Sequence, residues 1–198
     1  MDLSYLSSAQ IVHASAFVGE QQFLWQRDIL SSLPLDTKLS FSPGALYSRR
    51  GLENLKPLLE KTSILFLNRK ELKELTGSDP LTGALRCIQA GCQTVVVTMG
   101  KGLRRGNKTF SSLVVQPNKV TWIPVTGGTK HPVDTTGAGD AFASGFLFGH
   151  LMQKPAEECA ILGDITAGFS ITCVGARTGL PGKPELANAY QQATGLNL

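Results

Sequence analysis

Two uninterrupted apolar runs limit what this chain can become: residues 64–67, reading Ile64, Leu65, Phe66, Leu67, and residues 94–98, with Val95, Val96 and Val97 in succession. A strand with one wet face alternates apolar and polar residues, so a run without alternation belongs to a strand covered on both sides. Segments of helical spacing separate these runs. Residues 19–33 place Phe23, Leu24, Arg27 and Leu30 on a helical repeat, and residues 52–61 put Leu55, Leu58 and Leu59 on one face. Pro57 argues for a start of that second helix near Asn54, because proline is tolerated in a first turn and costly further in. Short helices are predicted over 69–75, ended by Gly77, and over 81–90, ended by Gly91.

Strands are further predicted over 10–17, over 38–41 with a closing turn at Ser42-Pro43-Gly44, and over 110–115 and 120–125 as an antiparallel edge pair around Pro117-Asn118. Helices over 137–151, 156–173 and 185–193 complete the chain. Covered strands alternating with amphipathic helices predict an α/β fold, doubly wound, with a mostly parallel sheet and helices on both faces.

Composition narrows the function classes. With 198 residues, 42% hydrophobic and 17% charged, one globular α/β domain is expected and disorder is excluded. The net charge of +4 is spread along the chain apart from the doublets Arg49-Arg50 and Arg104-Arg105, which reads as solvated surface and not as a nucleic-acid footprint. Cys87, Cys92, Cys159 and Cys173 form no CxxC pair and no zinc spacing with His13, His131 or His150, so reduced thiols and a cytoplasmic location are expected. The stretch 141–152 is interrupted by Ser144, Gly145, Gly149 and His150 and falls short of a bilayer span; no membrane partner is expected.

The chemistry concentrates at residues 134–140, Asp134-Thr135-Thr136-Gly137-Ala138-Gly139-Asp140, which open an apolar helix. Two glycines at a helix start let a ligand approach the backbone, and the unpaired N–H groups there, here those of Ala138 and Gly139, hold an anion such as a phosphate. Asp140 follows in the first turn. A carboxylate beside a phosphate is repelled by it unless a neutral hydroxyl lies between them, which is the layout of phosphoryl transfer with Asp140 orienting the acceptor. The plainer alternative is a tight turn followed by an acid that stabilises the helix start. Residues 102–109 resemble a P-loop only superficially, since Asn107 stands where glycine is required and Lys108-Thr109 lead into a strand.

Residues 134–140 match the DTxGAGD signature of the ribokinase-like, or PfkB, carbohydrate kinases, and the chain resembles the C-terminal portion of that family. The resemblance implies a kinase using ATP and Mg2+, with K+ as a further cation, acting on a small-molecule sugar or nucleoside. It implies Asp140 as the catalytic base, Gly137, Ala138 and Gly139 as the anion hole, and Asp134 and Thr136 beside a monovalent-cation site. Asn68-Arg69-Lys70-Glu71 is similar to the family's NxxE motif, which would make Asn68 and Glu71 the residues that place magnesium; without the family match, the same four residues read as a helix cap. Thr98-Met99-Gly100-Lys101-Gly102 is similar to the T-x-G-x-x-G loop, giving Thr98, Gly100, Lys101 and Gly102 to the nucleotide, and Gly175, in Gly175-Ala176-Arg177-Thr178-Gly179-Leu180-Pro181, to the loop bordering the base.

The family's opening strands, lid and GG signature have no match ahead of Met1, and Ser42 stands where relatives often carry Asp. The alternative is therefore a catalytically inactive domain that binds nucleotide or serves as an interaction module. Either version leaves a sheet edge uncovered, which predicts self-pairing, a homodimer included.

Overall fold

A computed structural model describes residues 5–6, 8–34, 36–125 and 132–198. Six strands form one sheet in the order β1 (Ile11–Ser15), β2 (Lys38–Ser42), β3 (Thr62–Asn68), β4 (Thr94–Arg105), β5 (Lys108–Gln116), β6 (Lys119–Pro124). The first four are parallel: Ile11 to Ser15 lie beside Lys38 to Ser42, Phe41 beside Leu65, and Ile64 to Asn68 beside Thr94 to Thr98. β4, β5 and β6 are linked by two-residue connections, too short for the crossover a parallel pair requires. The expected α/β class with a mostly parallel sheet holds. Among the described residues, no helix is long and apolar enough to cross a membrane.

The chain gathers into two compact units. The first comprises residues 1–98 and 115–120. Its core is the apolar content of β2, β3 and β4, with Phe41, Leu65 and Val95 to Val97 fully buried, covered by α1 (Glu20–Ser31), α2 (Gly44–Ser48), α3 (Leu52–Leu59), α4 (Arg69–Thr76) and α5 (Pro80–Gln89). α3 departs from expectation by starting at Leu52 and keeping Pro57 inside. Its face of Leu55, Leu58 and Leu59 is completely buried. At about 1.5–3 kcal/mol for each such side chain, that burial outweighs the roughly 3 kcal/mol an interior proline costs. α2 lies where a turn was expected, and its Tyr47 is buried with the hydroxyl accepting from Phe17 N–H at 3.1 Å. α4 ends at Gly77, which takes a left-handed conformation, as its position in the sequence predicts.

The second unit comprises residues 99–114 and 121–198. It holds the far half of β4, most of β5 and β6, and the helices α6 (Ala138–Leu151), α7 (Ala156–Ser170) and α8 (Lys183–Thr194). α6 and α7 form an antiparallel hairpin whose approach is set by glycine. A Cβ on Gly145 would meet Leu162 O at 2.6 Å, one on Gly149 would meet Leu162 Cδ1 at 2.8 Å, and one on Gly163 would meet Phe142 O at 2.8 Å. Backbones this close lock α6 against its neighbour and so fix the position of its first turn. Tyr190 of α8 packs on Leu162 and donates to Glu158, whose carboxylate also accepts from Lys154 at 3.1 Å.

Residues 98–102 are not a loop. β4 continues through them to Arg105, with Gly100 at φ 60° and Gly102 at φ 90°. The apolar pattern stops after buried Met99, which is why the strand looks finished in the sequence. Pairing with β5 carries it on. A Cβ on Gly102 would meet Thr109 Cγ2 at 2.6 Å, so the glycine makes room for the neighbouring strand. Lys108 and Thr109 lie in β5, which agrees with setting the P-loop aside.

Candidate active site

Residues 134–140 wind into the start of α6 through a sequence of internal bonds. Val133 N–H and Asp134 N–H both donate to Ile171 O, at 2.8 and 3.4 Å. The Asp134 carboxylate then bridges two loops: Oδ1 accepts from Thr136 N–H and Oδ2 from Gly175 N–H, each at 2.9 Å. Those donors, Gly175 foremost, hold its carboxyl below the ordinary carboxylate range. Gly137 caps α6 in the left-handed conformation, φ 75°, and its O accepts from Ala141 N–H at 2.8 Å. It abuts the second loop as well, since a Cβ there would lie 2.6 Å from Ala176 Cβ. The sequence places the 134–140 and 175–181 segments far apart, and no local signal links them; the structure ties them together at Asp134 and Gly137.

The first turn of α6 has donors to spare. Ala138 N–H is taken by Thr135 O at 3.2 Å, so it is not one of the unpaired donors the sequence suggested. Among the described residues no acceptor meets the N–H groups of Gly139 and Asp140. Gly139 has helical backbone, and nothing lies within 4 Å of where its Cβ would be. Neither backbone conformation nor packing of the chain therefore demands glycine at that position. Asp140, exposed, is the acidic residue of the same turn. A helix start with unpaired donors, an open space at the glycine and an adjacent carboxylate can receive an anion and a hydroxyl together.

In the first unit, residues 30 positions apart in the sequence become neighbours at the carboxyl ends of parallel strands: Asn68 ends β3 and lies beside Thr98 of β4. In sheets of this kind ligands bind at that edge. Asn68 and Glu71 form a reciprocal capping box. Asn68 Oδ1 accepts from Lys70 N–H and Glu71 N–H at 2.9 Å each, and Glu71 Oε2 accepts from Asn68 N–H at 2.9 Å. Among the described residues no group of three or more acidic, histidine or cysteine side chains could hold a metal ion by itself. The oxygens of Asn68 and Glu71 suit an ion that keeps most of its waters, for which one or two protein oxygens suffice.

Gly100 and Lys101 are exposed on β4, and no atom lies within 4 Å of a Cβ built at Gly100. Gly175, at φ 91°, spends its N–H on Asp134, so its visible role is to brace the turn before α6. His13 Nδ1 is hydrogen-bonded to Ser40 Oγ at 2.8 Å. His131 lies outside the described residues.

One half-buried acid escaped the sequence reading. Asp164 on α7 directs its carboxyl to the hydroxyl of Ser111 on β5, and Ser111 Oγ lies 3.2 Å from Ile123 O on β6. Burial pushes the Asp164 carboxyl up to about 7, against the bond from Ser111, which favours the charged form. A single acid inside the apolar run Cys159 to Ser170 is the signal that could have revealed it.

Comparison with known proteins agrees with this architecture. The model of the pfkB family carbohydrate kinases matches residues 3–183. A sugar kinase of Archaeoglobus fulgidus, itself uncharacterized, is 36% identical over 187 residues, covering 91% of this chain and 68% of that protein. The crystal structure of the Methanocaldococcus jannaschii nucleoside kinase, an archaeal member of the ribokinase family, superposes with a TM-score of 0.71 at 25% identity, over 92% of this chain and 56% of the other. Thermotoga maritima ribokinase shares the fold with a TM-score of 0.76 at 24% identity, over 96% and 60%. The chain thus spans a little over half the length of these solved structures and about two thirds of the archaeal sugar kinase. With a family match over nine tenths of its residues and the family signature at the opening of α6, the chain belongs to the pfkB family of carbohydrate kinases.

Proposed function

We propose that this chain carries the nucleotide-binding and catalytic part of an ATP-dependent phosphotransferase that moves the γ-phosphate to a hydroxyl of a sugar or nucleoside. One observation carries the proposal. At the start of α6, two N–H groups meet no acceptor among the described residues, the space at Gly139 is open, and a carboxylate stands in the same turn.

In this proposal the Gly139 and Asp140 N–H groups, on the left-handed Gly137, meet the charge on the transferred phosphoryl group. Ala138 contributes by its small side chain, since its own N–H is engaged. Asp140 orients the acceptor hydroxyl and takes its proton as the acceptor oxygen bonds to phosphorus and the bond to the departing ADP oxygen breaks. A loose transition state asks for positioning more than for a strong base.

Family resemblance assigns Thr98, Gly100, Lys101, Gly102 and Gly175 to the nucleotide, Asn68 and Glu71 to the waters of magnesium, and Asp134 and Thr136 to a monovalent cation such as K+. When bound, magnesium neutralises charge on the nucleotide phosphates. Asp134 acts here in its own right, since its two oxygens hold the Thr136 and Gly175 backbones that shape the turn.

The share of its relatives' length that this chain spans motivates a second proposal, a module that binds nucleotide without transferring phosphate. Phosphate transfer from ATP to a panel of sugars and nucleosides, with nucleotide binding measured alongside for wild type and Asp140→Asn, separates the two. The kinase requires transfer that the substitution abolishes while nucleotide still binds. Equal inactivity with retained binding favours the module. Absence of nucleotide binding in the wild type overturns both.

A further inference from the structure

The hairpin of β4 and β5 carries the charge of the whole chain. Between Asp79 and Asp134 the sequence has no acid. Within that stretch, residues 99–114 hold Lys101, Arg104, Arg105 and Lys108. Without these four, the remaining 15 basic and 15 acidic side chains cancel, so the formal net charge of +4 is that of the hairpin. All four are exposed, and among the described residues none of them pairs with a carboxylate. Surfaces usually intersperse the two signs, because gathered like charges repel one another.

In the sequence the doublet Arg104-Arg105 reads as solvated surface, since β4 looks finished before it. The extension of β4 to Arg105 and its turn into β5 at Lys108 bring Arg104, Arg105 and Lys108 to one hairpin tip. The fold also brings rings to them. The Arg105 guanidinium carbon lies 4.4 Å from the centroid of Trp122 on β6, and Trp122 packs on Phe110 of β5 with the ring centroids 5.6 Å apart. Both rings are half-buried. Ser111, the residue after Phe110, bonds Asp164 of α7. Successive strand side chains point to opposite faces, so Phe110 faces away from that acid.

We infer that this hairpin and the adjoining Trp122 form a surface that binds single-stranded nucleic acid. Arg104, Arg105 and Lys108 neutralise its phosphates, and the Arg105 guanidinium, stacked on Trp122, presents a flat face to a base. An unpaired strand is held by the combination of cations along its backbone and planes on which its bases stack, and a guanidinium plane serves for stacking as an aromatic ring does. Charge alone would suit any acidic partner. The stack of Arg105, Trp122 and Phe110 is what favours bases, because an acidic peptide offers carboxylates without a regular series of rings. Lys101, assigned above to the nucleotide, adds to the positive field and is no contact in this inference, which therefore stands apart from the phosphotransfer proposal.

The test is fluorescence anisotropy of a labelled oligouridylate of about 12 nucleotides, titrated with the full chain in the presence and absence of excess ATP. The expected result is binding that ignores ATP and weakens roughly 20-fold between about 50 and 200 mM salt, the dependence of three cations at a slope of about −0.7 each. Arg104→Gln and Lys108→Gln each lower that slope by about 0.7. Arg105→Lys keeps the charge and the slope but loses the plane, and weakens binding at least about fivefold. Trp122→Leu weakens it to a similar degree, whereas Trp122→Phe, which keeps a ring, weakens it less. Lys183→Gln on α8 leaves binding unchanged, and far-UV circular dichroism verifies that each variant is folded. Polyglutamate of matching charge competes at least about tenfold less well than unlabelled oligonucleotide. Absence of binding by the wild type, Arg105→Lys equal to wild type, an equal loss in Lys183→Gln, or displacement by ATP each overturns the inference. So does polyglutamate competing as well as the oligonucleotide, a result that would assign the surface to an acidic protein.

Discussion

Asp164→Asn should make the protein more stable, and by an amount that depends on pH. In the folded chain the Asp164 carboxyl titrates near 7, raised by burial, while in the unfolded chain it titrates at the ordinary 3.8 of an aspartate. The folded state therefore holds a proton that the unfolded state releases, so stability falls as pH rises from about 4 to about 7 and is level above. Raising the carboxyl from 3.8 to about 7 costs about 4 kcal/mol above neutrality, at about 1.36 kcal/mol per pH unit. Asparagine has nearly the same shape, can donate to Ser111 Oγ and accept from it, and carries no charge to desolvate.

The variant should gain about 4 kcal/mol over wild type at pH 8, shrinking to about 2 kcal/mol at pH 5, where the wild-type carboxyl is mostly protonated. For a chain of this size that corresponds to a Tm difference of roughly 8–16 °C at pH 8. Thermal and urea unfolding of both proteins between pH 5 and 8 measure it. A gap that stays constant with pH, or a wild type whose stability climbs toward pH 8 faster than the variant's, would refute the assignment of a desolvated acid that holds its proton.

The two glycines of the α6 turn should respond in opposite ways to alanine. Gly139→Ala has helical backbone and open space, so it should raise stability by up to about 1 kcal/mol, while lowering nucleotide affinity and phosphate transfer at least tenfold; unchanged binding would remove the case for a ligand there. Gly137→Ala meets both a positive φ and Ala176 and should cost about 1–3 kcal/mol, read as a lowered urea midpoint. Asp134→Ala should lower Tm at pH 7, and because the native carboxyl is held low, the difference from wild type should fade as pH drops through the carboxylate range; a difference indifferent to pH would contradict the role given to its two bonds. Gly145→Ala, forced against Leu162 O, should cost about 1–3 kcal/mol in chemical unfolding.

What could be read directly from the residues is what depends on local pattern. Three consecutive valines demand a covered strand, the Gly77 stop ends α4, and the Asn68 and Glu71 spacing predicts the capping box now seen in atomic detail. The 134–140 segment was recognisable because its unusual residue types are contiguous. Features that depend on distant partners stayed hidden. The bond from Gly175 to Asp134 spans 41 residues, and the engagement of Ala138 N–H depends on how Thr135 folds back. β4 was cut short because its outer half owes its order to β5 and not to apolar side chains. α2 is too short, at five residues, to show a helical period.

The Asp134 to Gly175 tie has an architectural consequence. It joins the entrance of α6 to the exit of α7, beside the two bonds that Ile171 O accepts from Val133 and Asp134, so the helical hairpin and these clasps make a closed ring with residues 134–140 at one pole and the exposed stretch from Leu151 to Gln153 at the other. Extra residues accumulated at that distal pole would lengthen the protein without disturbing the clasped end.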